Sequence, residues 1–155
     1  MSKRRDTRRL AMQVLYQIDV TGGQDQPEVI LEQIDDEYDP PDVRLQAVDI
    51  AIAAWKQHQD ADKLITELAP DWPTHRQPPV DRAILRLAYY EITANVTPVK
   101  VAINEAVELS KKYAAENSPA FVNGVLDKLA RRIKNSEKEQ QCEVVDNNED
   151  AQEHL

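Results

Sequence analysis

Hydrophobic residues recur at intervals of three and four along most of the chain, which is the spacing of one face of an α-helix. No stretch convincingly shows the alternation that is typical of a β-strand, and prolines divide the chain into segments. We therefore predict an all-α fold, a single bundle of about seven helices in two subdomains that meet near a proline-rich connector at residues 69–79. The predicted helices cover residues 7–19, 28–37, a third that opens at Pro40-Pro41, 61–68, 80–93, one from Thr97-Pro98 to 115, and 118–134. The third has one apolar face, made of Leu45, Val48, Ala51, Ile52 and Trp55. Thr97 is the expected N-cap of the sixth.

The first predicted helix has more than one distinctive face. Its apolar stripe spans about 140° of arc and consists of Leu10, Ala11, Val14, Leu15 and Ile18. The opposite side carries Arg5, Arg9, Met12 and Tyr16, so helix geometry excludes Tyr16 from the core. An aromatic side chain aligned with arginines indicates a binding surface, and the alternative is a lone surface tyrosine.

The last two predicted helices carry two aromatic residues near the turn between them. Tyr113 lies on the core side of its helix, which favours a packing role. Phe121 lies about 90° from the core face, on the side of Lys128 and Arg132. This position suits base stacking beside phosphate contacts, and packing against the preceding loop is an equal alternative. For Gly124, inside the last helix, we favour a close helix crossing over close approach of a ligand.

Composition narrows the possible chemistry. The 155 residues include 3 glycines, 1 cysteine and 3 scattered histidines, so we expect no phosphate-binding glycine loop, no disulfide, no metal and no cofactor. The longest stretch without a charged residue is Asn117–Leu126, too short to cross a membrane. Glu91 falls on an apolar face, where pairing with an arginine or capping of a backbone amide is favoured over a catalytic role. Because no residue completes a catalytic set, we predict that the protein is not an enzyme.

Charge is distributed unevenly along the chain. The formal net charge is −9, yet residues 1–9 contain five cations and one acid. Residues 137–155 are acidic and poor in large apolar residues. We therefore predict a folded domain over residues 1–136 with a basic N-terminal arm, followed by a disordered acidic tail over 137–155.

Four segments together resemble the NusB family of bacterial transcription antitermination factors. They are AMQVLY at 11–16 after an arginine cluster, DRAILRLAYYE at 81–91, VAINEAVEL at 101–109 and FVNGVLD at 121–127. The resemblance runs from about Arg5 to Arg132. It implies a cytoplasmic protein that binds boxA RNA of ribosomal RNA transcripts together with the ribosomal protein NusE. The pair would join an RNA polymerase antitermination complex and suppress premature termination.

The resemblance also implies which residues carry these functions. The RNA surface of the family maps here to Arg4, Arg5, Arg8, Tyr113, Asn117, Ser118 and Phe121, and the partner surface maps to Tyr16 and Asp81. In this interpretation the arginines contact phosphates, the aromatic rings stack on bases, and Asn117 and Ser118 bond to base edges. The alternative is a non-enzymatic protein-interaction module that acts through a homodimer or another protein partner.

Overall fold

The computed structural model describes residues 3–23, 29–30, 32 and 40–152, with side chains described as far as residue 142. This part of the chain contains six α-helices, one 3-10 turn at Thr74–Arg76 and no strand. The helices are α1 (Lys3–Val20), α2 (Pro41–Lys56), α3 (His58–Leu68), α4 (Pro79–Thr93), α5 (Val99–Tyr113) and α6 (Ser118–Gln152). The all-helical prediction is confirmed for these residues, whereas most of the helix predicted at 28–37 lies outside them.

Helix α4 packs against two groups of helices. Helices α1 and α2 pack together, α5 packs on α6, and α4 contacts both groups. Leu85 and Leu87 of α4 are buried on either side of Arg86, so this helix is covered over most of its circumference. Its position between the two groups explains why nine of its 15 residues are buried.

Helix α1 is buried over a wider arc than its main apolar stripe. Met12, predicted to face away from the core, is buried, and Tyr16 is partly buried and packs against the core. The prediction for Met12 was wrong, and the argument that geometry excludes Tyr16 from the core was also wrong. Helix α1 packs against α2 and α4, so a residue outside the stripe can still be covered by a second helix.

The core-facing side of helix α2 overlaps only in part with the predicted apolar face, although Val48 and Ala51 are buried as expected. Leu45, expected on the buried face, is 67% exposed. The buried residues of this helix are Val43, Ala47, Val48, Ala51 and Ala54. Three of these are alanines, so this helix packs largely through small side chains, while Leu45 faces outward.

Two helix ends also differ from the prediction. Helix α5 begins at Val99 with Pro98 at the cap position and no side-chain cap, so Thr97 is not the N-cap. Helix α6 does not end near residue 134 but continues to Gln152, and its residues 134–142 are exposed. Gly124 is exposed, and a Cβ atom added there would meet nothing within 4 Å, so the predicted close helix crossing is wrong.

No helix in the part of the chain that the structure describes is both long enough and apolar enough to cross a membrane.

Candidate nucleic-acid interface

The basic start of the chain forms the first turns of α1. Arg4 and Arg5 are exposed. The Nε of Arg5 donates to Oε1 of Glu105 on α5 at 3.3 Å, and the Arg5 side chain remains 66% exposed. The predicted arm is therefore helical from Lys3 onward and is bonded to the second half of the fold. No local sequence pattern points to Glu105, because its bond with Arg5 joins residues 100 positions apart.

Arg8 differs from Arg4 and Arg5 because its charged group is buried. Its Nε donates to both carboxylate oxygens of Glu91, at 2.9 and 3.1 Å, and its Nη2 donates to the Thr97 hydroxyl at 3.4 Å. The two charged side chains are 12% and 7% exposed. The prediction that Glu91 pairs with an arginine is confirmed. Arg8, expected to contact phosphates, is directed instead at a carboxylate of its own chain.

Two further predicted site residues contact each other inside the protein. The Ser118 hydroxyl donates to Oδ1 and Oδ2 of Asp81 at 2.9 and 3.1 Å, and each residue is only 4% exposed overall. Asp81 lies in the first turn of α4, and Ser118 is the first residue of α6. Burial raises the pKa of the Asp81 carboxyl, although the hydrogen bond from Ser118 acts in the opposite direction.

The remaining predicted RNA residues lie around the turn between α5 and α6. We call this group of Tyr113, Asn117 and Phe121 the aromatic corner. Asn117 is exposed, whereas Tyr113 and Phe121 are partly buried and pack against the core. The Nζ of Lys112 lies 5.4 Å from the centre of the Tyr113 ring. Partial exposure is compatible both with the packing role and with stacking of a base on the outer part of each ring.

Helix α5 connects this corner with the basic start of α1. Glu105, the partner of Arg5, precedes Tyr113 by eight residues, which is about 12 Å along a helix. At 100° per residue the two positions also lie within about 80° of each other around the axis. The carboxylate that binds Arg5 and the ring of Tyr113 therefore lie on adjoining faces of α5, within the reach of a few nucleotides.

The predicted partner residue Tyr16 lies on α1 one turn before Asp19, which belongs to a charged cleft. Arg82 Nε donates to Asp19 at 2.8 Å, and Arg86 donates to both oxygens of Asp62 at 2.9 and 2.7 Å. The cleft has a volume of about 670 Å³ and is lined by Asp19, Asp62, Lys63, Thr66, Glu67, Thr74, His75, Arg82 and Arg86. Its lining mixes cations with acids. Such a surface is better suited to contact with a polar protein surface than to contact with RNA phosphates.

The described side chains do not form a group of three or more histidine, cysteine, aspartate or glutamate residues that could hold a metal ion.

The fold and the surfaces above define a helical protein with a basic and aromatic face at one corner and a charged cleft elsewhere. The model of the NusB family matches residues 5–131, and the chain belongs to that family.

Individual members of the family are similar over most of their length. The Transcription antitermination protein NusB of Roseiflexus sp. (strain RS-1) is 38% identical over 140 residues, which cover 88% of this chain and 98% of the relative. The structure of T. maritima NusB is 34% identical, with a TM-score of 0.74 over 84% of this chain and 92% of that one. A structure of the antitermination factors NusB and NusE in complex with dsRNA contains a chain that is 26% identical, with a TM-score of 0.71 over 85% and 98% of the two chains.

Proposed function

We propose that this protein is a transcription antitermination factor that binds boxA RNA of ribosomal RNA transcripts together with NusE. The complex would join an elongating RNA polymerase and suppress premature termination. Relatives that match nearly the whole fold are antitermination proteins, and one similar structure contains NusE and dsRNA. We assign the protein no catalytic activity and place it in the cytoplasm, where bacterial transcription occurs.

The observation that carries this proposal is that Arg5 is bonded to α5 about two turns before Tyr113, which lies at the aromatic corner. Arg4 and Arg5 supply phosphate contacts, which give affinity without sequence information. Phe121 and Tyr113 supply partly exposed rings on which splayed bases stack. Exposed Asn117 supplies a donor and an acceptor for base edges, which is how single-stranded RNA is read.

Arg8 serves this surface indirectly in our proposal. Its pair with Glu91 joins α1 to the end of α4, and its bond to Thr97 reaches the turn before α5. It would therefore hold α1 in place while Arg4 and Arg5 meet the RNA.

For the partner surface we retain Tyr16, which is partly exposed and precedes Asp19, a residue of the charged cleft, by one helical turn. NusE would dock here and bring further contacts to the same RNA, so that the two proteins bind it more tightly together than either does alone. Asp81 is too buried to form this surface without a rearrangement.

Fluorescence anisotropy with labelled boxA RNA and a scrambled RNA of equal composition tests the proposal. We expect weak, sequence-selective binding by the protein alone and tighter selective binding with NusE. Phe121→Ala should weaken RNA binding and leave NusE binding unchanged, with exposed Ala120→Ser as a control substitution in the same turn. Equal affinity for the two RNAs, with and without NusE, would refute the proposal. Binding of a protein partner without any RNA selectivity would favour the protein-interaction module.

A further inference from the structure

The hydrogen bond between Asp81 and Ser118 joins two helix starts that lie 37 residues apart in the sequence. We infer that Asp81 and Ser118 are positioning residues of the RNA surface, which fix the corner between α5 and α6 so that Asn117 and Phe121 face the RNA. The inference rests on the proposed RNA-binding function and assigns Asp81 to the RNA side of the molecule and not to the partner surface.

The local geometry connects this bond to the two residues that it would position. The backbone N–H of Ser118 donates to the Ala115 carbonyl at 3.0 Å, and the N–H of Phe121 donates to the Asn117 carbonyl at 3.4 Å. Asn117 and Phe121 are four residues apart, so in this first turn they occupy neighbouring positions on one face. Ser118 points inward between them, and its side chain fixes the turn to α4.

The contact is sensitive to small changes because it is buried. A carboxylate removed from water needs hydrogen-bond donors, and the Ser118 hydroxyl bonds to both oxygens of Asp81. The start of α6 also favours a negative charge nearby, because the first N–H groups of a helix point outward from its end. Without the hydroxyl, the carboxylate must draw in water or a backbone donor, and either change displaces the corner.

A purely structural role predicts a different outcome from a positioning role. If the bond contributed only to stability, its loss would lower the melting temperature and would leave the RNA affinity of the folded protein unchanged. Ser110 is a matched control, because its side chain is also buried and its hydroxyl donates to Val107 within α5 at 2.7 Å. Ser110→Ala therefore removes a buried hydroxyl without breaking a link between helices.

The experiment measures boxA affinity by anisotropy at several salt concentrations, NusE affinity without RNA, and melting temperature. At a temperature where every variant is folded, Ser118→Ala should weaken RNA binding about tenfold, the size of losing one base-stacking contact. The slope of log affinity against log salt should not change, because the arginine contacts remain. Ser118→Thr should restore the affinity, Ser110→Ala should retain it, and NusE binding should be the same for all variants.

Two changes at Asp81 complete the test. Asp81→Asn keeps an oxygen that accepts from Ser118 and should retain RNA affinity, whereas Asp81→Ala should behave as Ser118→Ala does. If Asp81→Ala weakens NusE binding and leaves RNA binding intact, the residue belongs to the partner surface and the inference is wrong. Selective RNA binding by the wild-type protein and by Ser118→Ala alike would overturn this inference alone. Absence of selective binding by the wild-type protein would overturn the proposed function as well.

Discussion

The buried pair between Arg8 and Glu91 gives a prediction that separates two roles of an arginine. Arg8→Ala removes a guanidinium that bonds to both oxygens of Glu91 and to the hydroxyl of Thr97. The Glu91 side chain is 7% exposed, so it cannot regain a full hydration shell when its partner is lost. We expect the substitution to destabilise the fold and to leave the phosphate contacts unchanged.

The geometry sets the size of the effect. Removing one partner of a buried ion pair costs about 3–5 kcal/mol, most of which is the penalty for an unpaired buried charge. The Arg8 side chain is 12% exposed, so some water reaches this pair, and we expect a loss of about 3 kcal/mol, at the lower end of that range. Arg4→Ala on the same helix should change stability by less than about 0.5 kcal/mol, because Arg4 is exposed.

Urea unfolding of the wild-type protein, Arg8→Ala, Glu91→Ala and the double variant measures this difference. The double variant should lose less stability than the sum of the single variants, because neither charge then remains alone in the interior. Additive losses would show that the two side chains do not interact in solution, and the reasoning from their distance would fail.

RNA titrations of the same proteins complete the comparison. A lost phosphate contact on a single strand lowers the magnitude of the log–log salt slope by about 0.7. We expect that change for Arg4→Ala and none for Arg8→Ala at a temperature where both are folded. If Arg8→Ala lowers the slope and leaves stability unchanged, Arg8 leaves Glu91 in solution and contacts RNA directly.

Four further predictions concern other parts of the molecule. Burial raises the pKa of the Asp81 carboxyl above its ordinary value of 3.8, so the protonated side chain favours the folded state. The stability that it contributes is lost as the pH rises above 3.8 and through the raised pKa. The stability of Asp81→Asn relative to wild type should therefore increase over that pH window, measured by urea unfolding at several pH values. Tyr16→Ala should weaken NusE binding in calorimetric titration and leave the RNA affinity measured without NusE unchanged. Gly124→Ala should raise the free energy of unfolding by about 1 kcal/mol, since the glycine is exposed inside a helix with open space around it; a loss of RNA affinity instead would indicate close approach of the ligand there. Deletion of residues 137–155 should leave the melting temperature unchanged in a thermal scan, because the side chains of residues 137–142 are exposed.

Helix positions were predictable where local chemistry decides them. The helix predicted from residue 80 begins at Pro79 and ends at Thr93 as expected, because a proline run precedes it and its apolar spacing is regular. The face of α1 was less predictable. Its stripe is correct, but burial of Met12 depends on a second helix that packs from another direction, and no local pattern records that neighbour.

The candidate site shows the same division between local and long-range information. Sequence similarity indicated Ser118 and Asp81 as separate surface residues, and their exposure depends on a contact between the starts of two helices. Glu91 was predictable as a paired acid because it interrupts an apolar face, but its partner Arg8 lies 83 residues away. An acid on an apolar helix face indicates that it has a partner, but the local sequence does not indicate which residue that partner is.

The ion pairs also account for the prediction that this protein, with a net charge of −9, binds RNA selectively but weakly by itself. The Arg5–Glu105 pair is largely exposed on the arginine side, and such pairs contribute about 0–1 kcal/mol, so a phosphate can replace Glu105 at little cost. Arg8 cannot be exchanged in this way, because it would leave Glu91 buried and unpaired. Under the proposed function, the free protein offers few phosphate contacts, and the rings of Tyr113 and Phe121 supply most of its discrimination between sequences. A partner that binds the same RNA can then control the strength of binding without altering which RNA is chosen.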